Sequence, residues 1–197
     1  MPESPDGVAA LAEKASNGDG QAFERLVHLF HQEIFRMVYY RTRSRMDAED
    51  LTQEIFTQAF KGLSRLGDFD RFRPWLFTIA VNRVRDFRRK KRLLTFLGFC
   101  DCGEEEERLE SEPDHRPGAL DELIRKDFWE QVKKFSESLS PVEREVFFLR
   151  FLDGLALKEI ALVLKKSESA VKTHLYRAIK KFKEDSGLVG LLEGEIS

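Results

Sequence analysis

Apolar residues recur every three or four positions along most of the chain, the spacing that gathers them on one face of an α-helix. A first helix is predicted over Gly20–Thr42, with an apolar face that runs from Phe23 to Val38. A second helix is predicted to begin near Asp47, which can cap its N-terminus, and a third at Pro74, a residue suited to a first helical turn. The alternation typical of β-strands is almost absent. The sequence therefore predicts an all-α fold.

The same helical spacing continues in the C-terminal third of the chain. After a predicted helix over residues 120–137, the segment from Ser140 to Glu143 has the pattern of a capping box with proline at the first helical position. The helix that it starts is predicted to end at Gly154. A short helix over residues 158–164 and a longer one over residues 167–183 follow, separated by a tight turn. This arrangement predicts a helix-turn-helix unit.

Charge is segregated along the chain, although the net charge is only -2 and the isoelectric point is near 6.2. Seven of the ten residues in 83–92 are Lys or Arg, whereas residues 101–122 contain ten acidic residues and two arginines. The acidic stretch also contains Pro113 and Pro117 and has too few apolar residues to form a core. We therefore expect two small helical domains joined by a flexible acidic linker. The expected boundaries are a flexible N-terminal segment over 1–19, a helical domain over 20–95, a linker over 96–120, a helix-turn-helix domain over 121–185 and a tail over 186–197.

Several classes of site are not predicted. Cys100 and Cys102 lie in the acidic stretch with only His115 nearby, too few ligands for a zinc site, so we expect neither a metal nor a cofactor. Two cysteines make no disulfide framework, and the polar N-terminus does not resemble a signal peptide. No apolar run approaches the ~20 residues that a membrane-spanning helix needs. A cytoplasmic location is expected.

The polar face of the last predicted helix has the residue types that contact DNA. Arg and Lys can bind guanine edges or phosphates, and Ser and Thr can bind bases or the backbone. The alternative is an ordinary amphipathic helix with a solvated basic face. The candidate DNA contacts here are Ser167, Glu168, Ser169, Lys172, Thr173, His174, Tyr176, Arg177 and Lys180.

The basic end of the third helix is a second candidate DNA surface. A dense group of cations suits phosphate neutralisation, and aromatic residues in the preceding loop suit stacking on unpaired bases. Core packing is the alternative for the aromatic residues, and a solvated helix end is the alternative for the arginines. The candidate contacts are Phe69, Phe72, Asn82, Arg83, Arg85, Asp86, Arg88 and Arg89.

The order of these motifs resembles that of the extracytoplasmic-function group of bacterial RNA polymerase sigma factors. The resemblance lies in the runs from Asp47 to Phe56, from Phe72 to Asn82 and from Leu139 to Phe147, together with the helix-turn-helix. It implies that the first run binds the coiled coil of the largest subunit of core RNA polymerase. The polymerase contacts that it implies are Asp47, Asp50, Gln53, Glu54 and Phe56.

The resemblance also implies roles for the two candidate DNA surfaces. The loop over residues 64–73 and the basic helix would capture a flipped base and help to open the duplex near minus ten. The last helix would read the element near minus thirty-five. The chain would act as a monomer in its active form and would be regulated by an anti-sigma factor that covers both DNA surfaces.

Two positions depart from the family pattern. Lys165 and Lys166 stand where the turn of the helix-turn-helix usually has Gly and then an aliphatic residue, so the turn is expected to be strained or to differ in shape. Ala156 stands where Ser or Thr often caps the short helix, so a weaker cap is expected there.

Two other functions remain open at this point. A stand-alone helix-turn-helix regulator would form a dimer and bind palindromic half-sites. A helical adaptor that binds no DNA would use the basic helix to dock an acidic protein. No enzyme is predicted, because the sequence lacks a phosphate-binding loop, a metalloprotease motif and an identifiable catalytic triad.

Overall fold

The computed structural model describes residues 5–96, 132 and 134–184, and every regular element within those residues is helical. The all-α prediction is therefore confirmed. The chain divides into two compact units, of which the first contains residues 5–96 and the second nearly all of residues 134–184. Most of the predicted linker, the whole of the predicted tail and most of the helix predicted over 120–137 lie outside the described residues. None of the described helices has the length and apolarity that a membrane crossing requires.

The first unit packs three long helices around an apolar core. Residues Leu26, Ile34, Met37, Ile55 and Leu76 have no exposed surface. They lie on the helical faces that the apolar spacing predicted, because helix packing buries the i, i+3 and i+4 positions. The helices of this unit are α1 (Pro5–Ser16), α2 (Gly20–Thr42), α3 (Arg45–Gly62) and α4 (Phe72–Phe96), with 3₁₀ turns at Leu63–Arg65 and Phe69–Arg71.

The expectation of a flexible segment over residues 1–19 is wrong for most of its length. Helix α1 contacts α2 and the Phe69–Arg71 turn, and it buries Leu11, Ala12 and Ala15. The sequence signal was weak because two of these three core residues are alanines, which add little to an apolar stripe. Asp19 then accepts a hydrogen bond from the Ala22 amide at 3.0 Å and caps α2.

The predicted start of the second helix is also corrected. Ser44, not Asp47, is the N-cap of α3, and its hydroxyl accepts a hydrogen bond from the Asp47 amide at 3.2 Å. Asp47 lies in the first turn, where a negative charge interacts favourably with the helix dipole.

The two ends of the loop between α3 and α4 are held by close packing. A Cβ added at Gly62 would lie 3.3 Å from Cζ2 of Trp75, so a larger residue there would require the Trp75 ring to shift by a few tenths of an ångström. The ring of Phe72 packs 5.5 Å from that of Phe30 and 5.8 Å from that of Trp75, measured between centroids. Both ends of the loop are thus held by the core of the first unit.

The second unit contains helical residues 134–138 and three further helices, α5 (Pro141–Phe151), α6 (Leu157–Leu164) and α7 (Glu168–Glu184). The capping box is confirmed. Glu143 accepts from the Ser140 amide at 3.0 Å, and Ser140 accepts from the Glu143 amide at 3.4 Å. One buried cluster of this unit is formed by Phe135, Leu139 and Ala178, with the rings of Phe147 and Phe182 packed against it.

The two departures from the family pattern have clear structural consequences. Lys165 adopts the left-handed conformation with φ at 52°, and the Lys166 amide donates to the Ala161 carbonyl at 2.9 Å, which ends α6 in a Schellman-type turn. The turn thus keeps a geometry that usually calls for glycine. Ala156 has no capping side chain, but its amide donates to the Glu159 carboxylate at 2.7 Å, which supplies one half of a capping box.

Candidate nucleic-acid interface

Helix α7 separates an apolar inner face from a polar outer face. Val171 and Ala178 are fully buried, whereas Tyr176 is 71% exposed. Most of the predicted contacts lie on the outer face and are exposed, namely Glu168, Ser169, Lys172, Thr173, Tyr176, Arg177 and Lys180. This face therefore presents three cations, hydroxyls and an aromatic ring to solvent.

Three residues at the ends and edge of α7 differ from the exposed residues of its outer face. Ser167 is exposed, and its hydroxyl accepts a hydrogen bond from the Ala170 amide at 3.2 Å, so it caps the helix. The side chain of His174 is only partly exposed, and its Nδ1 atom is buried without a hydrogen-bond partner among the described residues. Lys181 turns toward α5, where Nζ lies 2.9 Å from a carboxylate oxygen of Glu143. The exposed part of the predicted DNA surface of α7 is thus centred on Lys172, Tyr176 and Arg177.

The Lys181–Glu143 ion pair fixes α7 on α5. Glu143 is 6% exposed, and the hydrogen bond from Lys181 is the largest cause that lowers the pKa of its carboxyl group below the usual range. The backbone amide of Ser140 lowers that pKa further, while burial opposes both effects. The carboxylate therefore remains charged at neutral pH and holds the C-terminal half of α7 in place.

Helix α4 presents only part of its basic segment to solvent. Asn82, Arg85, Asp86, Arg89 and Lys90 are exposed, and the guanidinium of Arg89 lies 3.2 Å from the carboxylate of Asp86. These residues recur at spacings of three and four, so they share one face of the helix. That face combines cations with hydrogen-bonding side chains, as the sequence predicted.

Two predicted arginine contacts have structural partners instead. Arg88 is half-buried and donates from Nε and Nη2 to the Arg41 carbonyl at 3.1 and 2.7 Å. It thereby satisfies a carbonyl at the C-terminal end of α2, so Arg88 has a structural role in the fold, and its contact with DNA stays a prediction. Arg83 donates to the Gln58 side-chain oxygen at 2.9 Å and lies 3.7 Å from the Glu54 carboxylate, so it connects α4 to α3.

The two loop aromatic residues also differ from each other. Phe72 is 1% exposed and belongs to the core, so the alternative of core packing applies and its assignment as a base contact is corrected. Phe69 is half-exposed in the 3₁₀ turn before α4 and keeps a surface that a base could contact. Helical spacing did not distinguish them, since both lie in a segment without a regular pattern.

The outer face of α3 contains the predicted polymerase contacts. Asp50, Gln53 and Glu54 are exposed and lie together on this face, and Asp47 is half-buried with its carboxylate 3.9 Å from Nζ of Lys91. Phe56 is 7% exposed and stacks on His31 with centroids 6.3 Å apart, so its predicted role as a direct contact is corrected to that of a supporting core residue.

One exposed aromatic residue on α3 was not among the predicted contacts. Phe60 is 58% exposed, and its ring packs edge-on against Phe23 at 5.0 Å. Next to it, Phe23, Val27, His31 and Phe56 line a groove of about 330 Å³ between α2 and α3. Phe60 follows the buried Phe56 by four residues, so helical spacing alone did not indicate that its ring would be exposed.

No group of three potential metal-ligating side chains occurs within residues 5–96 and 134–184. Cys100, Cys102 and His115 lie outside the described residues, so the structure does not bear on them.

Comparison with known proteins matches both units to sigma-factor families. Residues 26–93 match the model for Sigma-70 region 2, and residues 129–182 match the model for Sigma-70, region 4. The chain is similar to the ECF RNA polymerase sigma factor BldN of Streptomyces coelicolor, with 36% identity over 86% of this chain and 62% of that protein. It is also similar to the RNA polymerase sigma factor NccH of Alcaligenes xylosoxydans xylosoxydans, with 30% identity over 86% of this chain and 89% of that protein.

A solved structure shares the fold. The structure of CnrH in complex with the cytosolic domain of CnrY aligns with a TM-score of 0.66 at 26% identity, covering 96% of this chain and 99% of that chain.

Proposed function

Because the chain belongs to the extracytoplasmic-function group of RNA polymerase sigma factors, we propose that it binds core RNA polymerase and directs it to promoters by reading two separate DNA elements. The chain performs no chemistry of its own in this role and acts in the cytoplasm. The observation that carries the proposal is the pair of exposed cationic faces on α4 and α7, each in its own compact unit.

The exposed face of α4 and the loop before it bind the minus-ten element. Asn82 and Asp86 offer hydrogen bonds to bases, while Arg85 and Arg89 neutralise phosphates. Phe69 stacks on an unpaired base in the loop. The domain for this role begins at α1 rather than at residue 20, since α1 packs on the unit.

The outer face of α7 reads the minus-thirty-five element in the major groove. Lys172 and Arg177 lie about 1.4 turns apart on the exposed surface, within reach of neighbouring base pairs. The amides at the start of α7 add a favourable site for a phosphate.

The outer face of α3 binds core polymerase. Asp50, Gln53 and Glu54 supply acidic and polar contacts for a basic partner surface, and Phe60 adds an exposed aromatic anchor beside them. Since interface hot spots are often aromatic, Phe60 is expected to contribute more than any single exposed carboxylate on this face.

A further partner is an anti-sigma factor that covers both DNA surfaces and keeps the free chain inactive. The solved relative CnrH is in complex with the cytosolic domain of CnrY, which supports a protein partner of this kind. In the active state we propose one copy of the chain per polymerase.

Run-off transcription with purified core polymerase and a promoter library tests the proposal. The chain should make transcription depend on two conserved blocks of sequence separated by a fixed spacing, and the selected promoters should not be palindromic. A dimer that binds palindromic half-sites without polymerase would support a stand-alone helix-turn-helix regulator instead.

A further inference from the structure

An ion pair joins α2 to the first turn of α4. The Arg73 guanidinium donates from Nη2 to Oε1 of Glu33 and from Nε to Oε2 at 3.5 Å, so both carboxylate oxygens are used. The two side chains are 27% and 23% exposed, which shields the pair from much of the solvent. The guanidinium also lies 5.3 Å from the centroid of the Phe77 ring. A two-point pair of this kind restricts orientation as well as distance.

The placement of the arginine is unusual for a residue that serves helix stability alone. Arg73 is the second residue of α4, and a positive charge is unfavourable at the N-terminal end of a helix. The carboxylate of Glu33 offsets that effect, because it brings a negative charge to the same helix end. The pair therefore joins two helices at a point where the sequence of α4 by itself would favour an acidic residue.

This point is also the downstream end of the loop that carries Phe69. At the upstream end, Gly62 packs against Trp75, and Leu63 is buried. At the downstream end, Phe72 is buried and Arg73 follows it directly. Residues between these anchors are mostly exposed, and α1 packs against the Phe69–Arg71 turn, so the position of the loop depends on both end anchors and on α1.

We propose that Glu33 and Arg73 are positioning residues for promoter recognition, which hold the loop over residues 64–71 in the conformation that captures a minus-ten base. The inference rests on the proposed role of that loop. Neither residue touches DNA in this account. They act by fixing the direction in which the chain leaves the loop and enters α4.

The test uses the full chain with core polymerase and a library randomised separately at the minus-ten and minus-thirty-five elements. The variants are Glu33→Gln, Arg73→Met and the exchange Glu33→Arg with Arg73→Glu. Glu24→Gln is the matched control, because it removes a carboxylate from the same helix at an exposed position, where the neighbouring charged group is His28 rather than Arg73. Thermal unfolding and affinity for core polymerase are measured for each variant.

Both single variants should lower base preference at the minus-ten element about tenfold, since a displacement of ~1 Å is enough to disrupt a positioned contact. Minus-thirty-five preference and affinity for core polymerase should match those of the wild type and of Glu24→Gln. The exchanged pair should recover most of the preference.

An unchanged minus-ten preference in Glu33→Gln, whatever its thermal stability, would overturn the inference and leave the pair with a purely structural role. Equal losses at both elements would overturn it as well. If the proposed function itself were wrong, the wild-type chain would show no promoter preference in the same assay. That outcome can be distinguished from a failure of the inference about Glu33 and Arg73.

Discussion

At the scale of single residues, Lys165 bears a conformational strain that the family pattern indicated. Its φ of 52° lies in the left-handed region, which is disfavoured by roughly 1–2 kcal/mol for residues with a Cβ. The sequence alone showed that glycine was missing from this turn but left open whether the turn had changed shape. The structure shows that the turn keeps the left-handed geometry, so the backbone of Lys165 is strained.

Replacing Lys165 with glycine should raise the unfolding free energy of the second unit by about 0.5–1 kcal/mol. The strain energy that is removed is larger than the entropic cost of ordering a more flexible glycine on folding. Native-state hydrogen exchange of the α7 amides measures the change. Lys166→Gly is the matched control and should lower stability, since φ at that position is not positive. A Lys165→Gly variant no more stable than the wild type would show that the turn is unstrained.

Glu143 gives the second unit a pH dependence with a defined sign. Its pKa is lowered in the folded state, chiefly by Lys181, so its stabilising contribution is complete above the unfolded pKa of about 4.3 and is lost as the pH falls through the folded pKa. The variant Glu143→Gln should be less stable than the wild type at pH 7 by about 1–3 kcal/mol. Hydrogen exchange of α5 amides should show this difference shrinking in acid.

Glu137→Gln is the control for this experiment, because Glu137 is exposed and its removal should not change stability at pH 7. If the difference between Glu143→Gln and the wild type were the same at pH 7 and in acid, the ion pair with Lys181 would not be its source.

At the scale of elements, α4 illustrates what periodicity can and cannot predict. Leu76, Ile79 and Val84 recur at helical spacing, and all three lie on the buried face. It could not tell Arg85 from Arg88, because the partner of Arg88 is a backbone carbonyl 47 residues earlier in the chain. Side-chain to backbone contacts between distant segments leave no trace in local spacing, which is why Arg83 and Arg88 were grouped with the exposed cations.

The two arginines should therefore respond differently to substitution. Arg88→Ala should lower the unfolding free energy of the first unit by about 1–2 kcal/mol, since it leaves the Arg41 carbonyl without this donor. Arg85→Ala should leave stability unchanged, weaken promoter binding by the holoenzyme and reduce the salt slope by about one. Chemical denaturation and binding titrations at several salt concentrations measure both effects. Equal behaviour of the two variants would contradict the division of α4 into structural and exposed cations.

Helix α1 provides a test of the corrected N-terminal boundary. Leu11→Ala should lower the unfolding free energy of the first unit by about 2 kcal/mol, because the side chain is 7% exposed and its loss leaves a cavity. Ala10→Ser, at an exposed position on the same helix, is the control and should have little effect. Chemical denaturation followed by circular dichroism compares the two. No loss of stability in Leu11→Ala would restore the prediction of a flexible segment.

At the scale of the whole molecule, the division into two helical units followed from charge and composition. The acidic, proline-containing stretch between them indicated the boundary, because composition alone can be read without knowledge of tertiary contacts. The side chains that the first unit exposes could not be predicted in this way. Burial of Phe56 and Phe72 and exposure of Phe60 depend on how α2, α3 and α4 pack together. The proposed DNA surfaces lie in different units, so a change on one should not alter recognition by the other.

The most direct measurement of this independence is the affinity of the holoenzyme for promoters that differ at one element at a time. Arg177→Ala should reduce discrimination at one minus-thirty-five position by about 1–3 kcal/mol and leave minus-ten discrimination intact, whereas Arg85→Ala should weaken binding to all templates alike. If Arg177→Ala and Arg85→Ala both kept wild-type affinity and promoter preference, the exposed faces of α4 and α7 would not be the surfaces that bind DNA.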